Sequence, residues 1–429
     1  MKNTTGKGLG EDFRHRAPLM MVLAALLLAG ACRADIEILQ PESGATVSGP
    51  IHLVARIPLD DVQGVHARVG DLPWVPMFHA DDGTWRATLD GSLAPNGPSS
   101  VRLQKWPAGE NTSAAVEVRI DNPLQHYWGN IHSHTSVSDG RMRPDEAYAY
   151  ARDIAKLDFF SLTDHLEQVD PAEWRECLRA AALTNDDGSF VAFPGLEWTK
   201  GVGHMCVYEP AGHVWPEGLS EFYQFAPANA AVAKFNHPGW RDTTSEDFAY
   251  SAEGDSVIQL MEVRGDAEMR WMIAALDLGW HIAPDGSDDT HRERWGTSNL
   301  WTVVLAPGLS RTNVIDALRR RHCYSTRDRN CRLNFTLNGA VMGEKVEEPV
   351  TTATIDVRVA DPDEGDSIKS VELYADGEVV QSLQAGATSA RLTADLTPEP
   401  GEHYYFVKVT QADDDLLYSA PIWITVADE

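Results

Sequence analysis

The chain has 429 residues and is acidic, with 36 Lys and Arg against 64 Asp and Glu and a formal net charge of -28. This charge argues against nucleic-acid binding, because phosphate recognition needs clustered cations. The length and a hydrophobic content of 43% exclude long disordered stretches and predict two or three domains, each with its own core.

The amino terminus has the pattern of an export signal. A segment with several basic residues precedes an unbroken apolar run, Leu19 to Leu28, which leads into Ala-Gly-Ala before Cys32. This pattern predicts a secretory signal peptide over residues 1–31, and the apolar run is too short for a membrane-spanning helix. Because the residues around Cys32 also resemble a lipoprotein signal, both a lipid anchor at Cys32 and plain secretion stay open. We expect an exported protein that is periplasmic, lipid-anchored or extracellular.

Two outer regions have the pattern of β-sandwiches. Residues 35–122 contain short alternating strands separated by turn clusters such as PESG and ADDG, and residues 331–429 repeat this style. Both patterns predict immunoglobulin-like sandwiches, whose surfaces could contact a glycan or another surface. The loop DPDEGDS, which starts at Asp361, has the composition of a calcium loop, but its glycine is misplaced, which favours a solvated turn.

The central region, residues 124–330, alternates strands with helices. Pro144 opens one predicted helix, and Gly279 is placed to terminate another. Such alternation over about 200 residues predicts a parallel α/β barrel or an open sheet.

Five strand-like runs of this region share one property. Each stops at a histidine or a carboxylate that could bind a metal ion. The segments are WGNIHSH, FFSLTDH, AFPGLEW, AKFNHPG and HIAPDGSDDTH. If these runs are parallel strands of one barrel, their ends open on the same face, where barrel enzymes place their chemistry. Imidazoles mixed with carboxylates suit zinc, iron or manganese.

The motifs HSHTSVSDG, TDH, GLEW, NHPG and the late Asp-x-His resemble, in this order, those of the PHP (polymerase and histidinol phosphatase) metallohydrolases. The resemblance implies an α/β fold, a distorted (β/α)7 barrel, here flanked by the two sandwiches. The spacing is most similar to that of the secreted CehA/McbA-like branch. The resemblance also implies two or three divalent metal ions.

The family pattern implies three groups of metal ligands. The first ion would use His132, His134, Glu197 and Asp289; the second Glu197, His204 and His237; and the third Asp139, His165 and His291.

Two of these assignments depart from the simplest pattern. GSDDTH offers either Asp288 or Asp289, and the Asp-x-His spacing favours Asp289. His204 precedes a predicted strand instead of ending one, so it is either a ligand, which we favour, or an ordinary strand histidine. Asp164 and Asn236 are predicted to orient imidazoles.

The resemblance implies a hydrolase that acts on ester bonds, with Glu197, Asp289 and His291 as catalytic residues. A phosphoesterase is favoured, and a carbamate or carboxylic ester hydrolase is the alternative for a small-molecule ester substrate. A third hypothesis is that the protein is a non-catalytic surface-binding protein whose barrel is a relic without activity. The sequence has no GxSxG, HExxH or P-loop motif, so it gives no support to serine-hydrolase, zincin or P-loop chemistry.

Other residues leave alternatives open. Cys323 and Cys331 could form a disulfide in an oxidising compartment or remain buried thiols. Substrate anions could be neutralised by any of four cations, although each also suits an ordinary surface position. These cations are Lys200, Arg241, Arg264 and Arg292.

Overall fold

The computed structural model describes residues 36–58, 62–107, 112–240 and 244–427. The predicted signal peptide, Cys32 and Arg241 lie outside the described residues. No helix in the described ranges is long and apolar enough to cross a membrane.

The amino-terminal region consists of two facing sheets. Their orders are β1-β3-β7-β6 and β2-β9-β8-β4-β5. Alternating residues of both sheets, such as Leu53 and Leu103, point into one shared core, as expected for a sandwich. The strands are β1 (Glu37–Gln40), β2 (Ala45–Val47), β3 (Pro50–Arg56), β4 (Gly64–Val69), β5 (Val75–Pro76), β6 (Phe78–His79), β7 (Trp85–Asp90), β8 (Gly97–Trp106) and β9 (Ser113–Ile120).

The central region forms one continuous sheet with the order β16-β15-β14-β13-β12-β11-β10-β17-β18. Its strands are β10 (Gln125–Asn130), β11 (Phe159–Leu162), β12 (Val191–Lys200), β13 (Gly203–Tyr208), β14 (Val232–Phe235), β15 (Ile258–Glu262), β16 (Ala283–Asp285), β17 (Trp301–Ala306) and β18 (Cys323–Thr326). The helices are α1 (Pro144–Asp153), α2 (Pro171–Thr184), α3 (Leu219–Asn229), α4 (Ser245–Phe248), α5 (Ala252–Asp255), α6 (Asp266–Asp277) and α7 (Arg311–Arg319). The predicted α/β class is therefore confirmed.

The sheet is not purely parallel. Strands β10, β11 and β12 are parallel neighbours, and so are β14, β15 and β16. Strand β13 runs antiparallel between β12 and β14, and β17 and β18 are also antiparallel to their neighbours. The strand-helix alternation did not reveal the direction of these three strands. For β13 the reason is that no helix separates it from β12.

The two ends of the central sheet approach each other. The backbone N–H of Gly286, which follows β16, donates to Thr302 Oγ1 of β17 at 3.1 Å. A Cβ atom on Gly286 would lie 2.3 Å from the carbonyl oxygen of Trp301, so only glycine permits this approach. Ser325 of β18 donates to the carbonyl oxygen of Val263 at 2.6 Å. The sheet is thus strongly curved.

Local sequence signals placed the start of α1 and the end of α6 correctly. Pro144 is the first residue of α1, and Asp170 caps α2 by accepting from the N–H groups of Ala172 and Glu173. Gly279 follows α6 with a φ of +99°, a value that favours glycine. The prediction of these helix ends is confirmed.

The carboxyl-terminal region also has two sheets around one core, but one of them continues the central sheet. Strand β18 pairs with β26, and from there the path continues to β25, β22 and β23. The second sheet has the order β20-β19-β21-β24. The strands are β19 (Arg332–Leu337), β20 (Ala340–Val341), β21 (Ala353–Ala360), β22 (Ile368–Ala375), β23 (Glu378–Ala387), β24 (Ser389–Leu396), β25 (Gly401–Gln411), β26 (Leu416–Ser419) and β27 (Ile422–Val426).

The cysteines of the described residues are all free and buried. Cys323 lies in β18 and Cys331 directly precedes β19, and burial raises the pKa of both thiols. Of the two alternatives left open by the sequence, the structure contains the buried thiols.

Candidate metal centre

The five strands that lead to potential ligands have their carboxyl ends at the same edge of the central sheet. Strands β10, β11, β12, β14 and β16 all run in one direction, because the antiparallel β13 lies between β12 and β14. The carboxyl ends of these strands therefore bring their following side chains together. The histidine cluster, as we call it, consists of His132, His134, Asp139, His165, Glu197, His204, His237, Asp289 and His291.

Glu197 lies at the centre of the histidine cluster and is 1% exposed. Its two carboxylate oxygens face different sets of imidazoles, as expected of a carboxylate that bridges two ions. Oε1 lies 3.2 to 3.5 Å from nitrogens of His132, His204 and His237. Oε2 lies 2.8 Å from His165 Nδ1 and 3.5 Å from His134 Nε2.

A second carboxylate, Asp139, lies on the exposed side of the cluster. Its Oδ1 is 3.1 Å from His291 Nε2, 3.5 Å from His165 Nε2 and 3.9 Å from His134 Nδ1. Gly140 permits this position because a Cβ atom there would lie 2.6 Å from the backbone of His134. His134 therefore joins the three residues that the sequence had grouped around one ion.

The structure distinguishes the two neighbouring aspartates. Asp289 Oδ1 lies 3.0 Å from His134 Nε2 and 3.2 Å from His132 Nε2. Asp288 points elsewhere and accepts hydrogen bonds from Asn130 Nδ2 at 2.8 Å and Ser298 Oγ at 2.6 Å. A φ of +51° at Asp289, which is uncommon for a residue other than glycine, accompanies this arrangement.

Strand geometry explains how Asp289 and His291 reach the first two histidines. Ser133 and Thr290 form an isolated parallel β-bridge. Because side chains alternate along an extended chain, the residues on either side of each bridge partner share a face. His132 and His134 thus lie next to Asp289 and His291.

His204 lies at the same edge although it starts a strand. Strand β13 is antiparallel to β12, so its beginning lies beside the end of β12. This places His204 Nδ1 at 3.2 Å from Glu197 Oε1. The position before a strand, which made His204 ambiguous in the sequence, is what brings it to the cluster.

The donor set fits divalent metal ions. Two buried oxygens, Glu197 Oε2 and Asp289 Oδ1, lie 2.8 and 3.0 Å from ring nitrogens of His165 and His134, but no described residue makes a well-aligned hydrogen bond to either oxygen. His237 Nδ1 is also buried without a hydrogen bond among the described residues. Buried polar atoms without such partners are rare in folded proteins. Burial alone would raise the pKa of Glu197, but the nearby imidazoles, above all His132, hold it well below its usual range. Glu197 is thus an ionised carboxylate surrounded by nitrogen ligands, as zinc, manganese and iron require.

The sequence reasoning missed Glu262, which ends β15 and is fully buried. Its Oε1 lies 2.5 Å from His132 Nδ1, so it holds the ring of His132 from behind. Lys234 Nζ donates to Glu262 Oε1 at 2.7 Å and to Asp285 Oδ2 at 2.9 Å. Arg264 donates to Glu262 Oε2 at 2.8 Å. The signal was available, because β15 is a sixth parallel strand that ends in a carboxylate.

The two predicted orienting residues act differently from the expectation. Asn236 donates to Glu197 Oε1 at 2.7 Å and therefore orients a carboxylate. Asp164 accepts from the backbone and hydroxyl of Thr135 and from Ser138 Oγ, at 2.7 to 2.8 Å. It fixes the loop that follows His134 and accepts a hydrogen bond from no imidazole of the described residues, because its carboxylate turns toward that loop.

The predicted anion-binding cations divide into two kinds. Lys200 forms ion pairs with Glu167 and Glu217 at 3.1 and 2.8 Å. Arg264 is held beside the histidine cluster by Glu262, and its side chain is 25% exposed. Arg292 is exposed. Of the three predicted anion-binding cations that the structure describes, only Arg264 is fixed to a residue that contacts the cluster.

Comparison with known proteins gives distant similarities. No protein-family model matches the chain. An uncharacterized protein of Chlamydia pneumoniae is 19% identical over 373 residues, and one of Chlamydia trachomatis is 20% identical over 369 residues. Each alignment covers 73% of this chain, which spans 59% of the length of these relatives.

Among solved structures, the chain is similar to a two-domain protein of Bacteroides vulgatus that contains a predicted PHP-like metal-dependent phosphoesterase. That similarity covers 70% of this chain and 96% of the other, at 16% identity and a TM-score of 0.40. Fibronectin(III)-like modules of CbhA from Clostridium thermocellum match 21% of this chain, at 20% identity and a TM-score of 0.16. Both TM-scores are low, so the functional argument depends on the histidine cluster itself.

Proposed function

We propose that this chain is a metal-dependent hydrolase that holds two or three divalent ions in the histidine cluster. The observation that carries the proposal is the position of Glu197, whose two oxygens face separate groups of imidazoles within 3.5 Å. A buried, ionised carboxylate in this position suits a bridge between two ions.

The ligand groups follow from the distances. One ion would be held by His132, His134, Glu197 and Asp289, and a second by Glu197, His204 and His237. A third position lies between His134, Asp139, His165 and His291. Divalent ions bound there would activate water and polarise the scissile bond.

The protein itself contributes orientation and proton transfer. Glu262 and Asn236 hold His132 and Glu197 in place, and mispositioned ligands would lose affinity for the ions. His291 is the most exposed histidine of the cluster, with 34% of its side chain accessible. When only the first two ions are bound, its imidazole can donate a proton to a leaving group that arrives from solvent. We assign Glu197, Asp289 and His291 as the catalytic residues on these grounds.

Phosphoesters are the proposed substrate class. The guanidinium of Arg264 is fixed beside the cluster, its Nε is buried without an acceptor among the described residues, and the side chain remains partly exposed. An arginine in this setting can pair with a phosphoryl oxygen. We also propose that residues 124–330 form a (β/α)7 PHP barrel of the CehA/McbA-like branch, that the two outer regions are immunoglobulin-like domains, and that the protein is exported.

Elemental analysis of the purified chain, coupled to a substrate panel, tests this function. The panel contains phosphomonoesters, phosphodiesters, carboxylic esters and carbamates. We expect at least two equivalents of metal after reconstitution and turnover of a phosphoester. If the protein hydrolysed only carbamates or carboxylic esters, the proposed substrate class would change from phosphoesters to these esters. A metal content well below one equivalent, without turnover of any substrate, would refute the proposal that the chain is a metal-dependent hydrolase.

The variant Glu197→Gln makes the test specific. It should lower metal content and turnover together, because it removes the charge that both ion groups share. Glu176→Gln is the matched control, since Glu176 lies on α2, where it is exposed and pairs with Arg143 at 3.1 Å. Full metal content and full rate in Glu197→Gln would contradict the bridging role.

A further inference from the structure

A second group of carboxylates converges where the central sheet meets the carboxyl-terminal sheets. Asp328 follows β18, Asp361 follows β21 and Asp366 precedes β22. Their potential ligand oxygens all lie within 4.8 Å of one another. We call these three residues the acidic cluster. The loop expected to be a solvated turn thus has a buried first residue, because Asp361 is 0% exposed.

The acidic cluster has no compensating charge among the described residues. None of its three carboxylates forms an ion pair with a described Lys or Arg. The nearby turn between β25 and β26 adds further negative charge, since Asp413 and Asp415 interact with the cluster. Arg327, the next cation along the chain, directs its guanidinium to the carbonyl oxygen of Arg264 instead. Backbone N–H groups donate to Asp328 and Asp361, but no described cation offsets the mutual repulsion of these carboxylates.

A buried amide points into the same cluster. Gln411, which ends β25, is 0% exposed. Its Nε2 lies 2.6 Å from Asp361 Oδ2, 3.2 Å from Asp366 Oδ2 and 3.4 Å from Asp328 Oδ2. An amide nitrogen has only two N–H groups for these three oxygens. Gln411 Oε1 and Asp366 Oδ1 are buried and have no donor in the described part of the chain.

These unpaired buried atoms indicate that a ligand is missing from the acidic cluster. Rotation of the Gln411 amide by 180° exchanges its oxygen and nitrogen, which are nearly isosteric. Its oxygen would then lie among the carboxylates, where it is favourable only if a cation lies between them. A cation would thereby satisfy the amide oxygen and all three carboxylates at once.

We propose that Asp328, Asp361, Asp366 and Gln411 form a calcium-binding site. All potential ligands are oxygens, which hard cations prefer, whereas zinc and iron favour the nitrogen-rich histidine cluster. The ligands come from four separate strand ends, and this irregular arrangement suits the flexible coordination of calcium better than the strict octahedron of magnesium. Burial, together with the charges of Asp328, Asp363 and Asp366, raises the pKa of Asp361 to about 7, consistent with a position that lacks a counter-charge.

The ion would connect the loop after β18 to three strands of the carboxyl-terminal sheets. Since Asp328 lies in the segment that leads out of the central sheet, the site would fix how this segment meets the sandwich. The role we assign is structural and independent of the histidine cluster.

Equilibrium dialysis of the full chain with labelled calcium tests the site. The protein is first treated with chelator and its histidine cluster is reloaded with zinc. We expect one equivalent of calcium at about 1 mM, in the affinity range of extracellular calcium modules. Asp366→Asn should lose this equivalent, and Asp414→Asn should keep it, because Asp414 is exposed and pairs with Lys369. Failure of the wild type to bind calcium, or equal uptake of magnesium, would refute the assignment.

Thermal unfolding provides a readout that separates ion binding from a merely structural carboxylate. In chelator, Asp361→Asn should unfold at the same temperature as the wild type or higher, because the substitution relieves repulsion. The wild type should gain a few degrees at a calcium concentration about tenfold above Kd, whereas the variant should gain almost nothing. A variant that is less stable than the wild type by the same amount in both buffers would contradict the proposal. Because Asp366 is only partly buried, Asp366→Asn can replace Asp361→Asn in this test if the latter variant does not fold.

Discussion

The histidine cluster and the acidic cluster solve the problem of buried charge in different ways. Glu197 is surrounded by imidazoles, and Glu262 behind it is paired with Lys234 and Arg264. Asp361 has no such partner among the described residues. The buried carboxylates of the first site thus have counter-charges from the protein itself, whereas those of the second would take their counter-charge from a bound cation. Metal removal should therefore affect chemistry at the histidine cluster and stability at the acidic cluster.

The largest expected effect comes from removing Lys234, the buried cation that pairs with Glu262 and Asp285. Lys234→Met leaves Asp285 buried without a cation and leaves Glu262 with Arg264 as its remaining cation. A broken buried ion pair costs about 3–5 kcal/mol. We expect this loss in the free energy of unfolding measured with denaturant. Arg320→Met is the control, since it removes an exposed pair with Asp316 and should cost at most about 0.5 kcal/mol. A similar small loss in both variants would contradict the balancing role of Lys234.

A smaller effect is expected when the support of one imidazole is changed. Glu262→Gln weakens the contact that orients His132, and such a loss typically lowers metal affinity or activity about 10–100-fold. The affinity should fall most at the ion held by His132 and His134, because Glu262 contacts the ring of His132. It should fall less at the ion held by His204 and His237, because Glu262 accepts there only from the backbone N–H of His237. Metal titration that resolves two classes of sites measures this difference. Equal weakening of both classes would show that Glu262 acts on the fold as a whole.

The neighbouring aspartates allow the finest comparison. Asp289→Asn should weaken metal binding by about tenfold or more, because its Oδ1 faces His132 and His134. Asp288→Asn should leave metal content unchanged and cost about 1 kcal/mol of stability through its bonds to Asn130 and Ser298. Metal analysis and denaturation of both variants check this. Reversed effects would mean that Asp288 is the ligand.

The two clusters also differ in how far the sequence predicted them. The histidine cluster was accessible because most of its ligands lie at or beyond the carboxyl ends of parallel strands, and such positions meet at one edge of the sheet. His132 and His134 even signal their shared face by their i, i+2 spacing. Glu262 was not predicted as a site residue, because the Val-Arg-Gly that follows it contains no ligand-like motif. Its position therefore resembled an ordinary strand end.

The acidic cluster could not be found from local patterns. Asp328, Asp361, Asp366 and Gln411 come together only through the pairing of β22 with β25 and of β18 with β26. No spacing in the sequence encodes such distant pairings. The predicted boundary between the central region and the carboxyl-terminal region, near residue 331, shows the same limitation of sequence patterns. Turn signals show where strands end, but they do not show that a strand on one side pairs with a strand on the other.

The pairing of β18 with β26 has a consequence for biosynthesis. A nascent chain contains every histidine-cluster residue once position 291 has been made, but the edge of β18 stays uncovered until residues 416–419 follow. An uncovered strand edge invites pairing with other chains. Fragments that stop near residue 330 should therefore aggregate, and a useful truncation of this protein has to begin from the amino-terminal side.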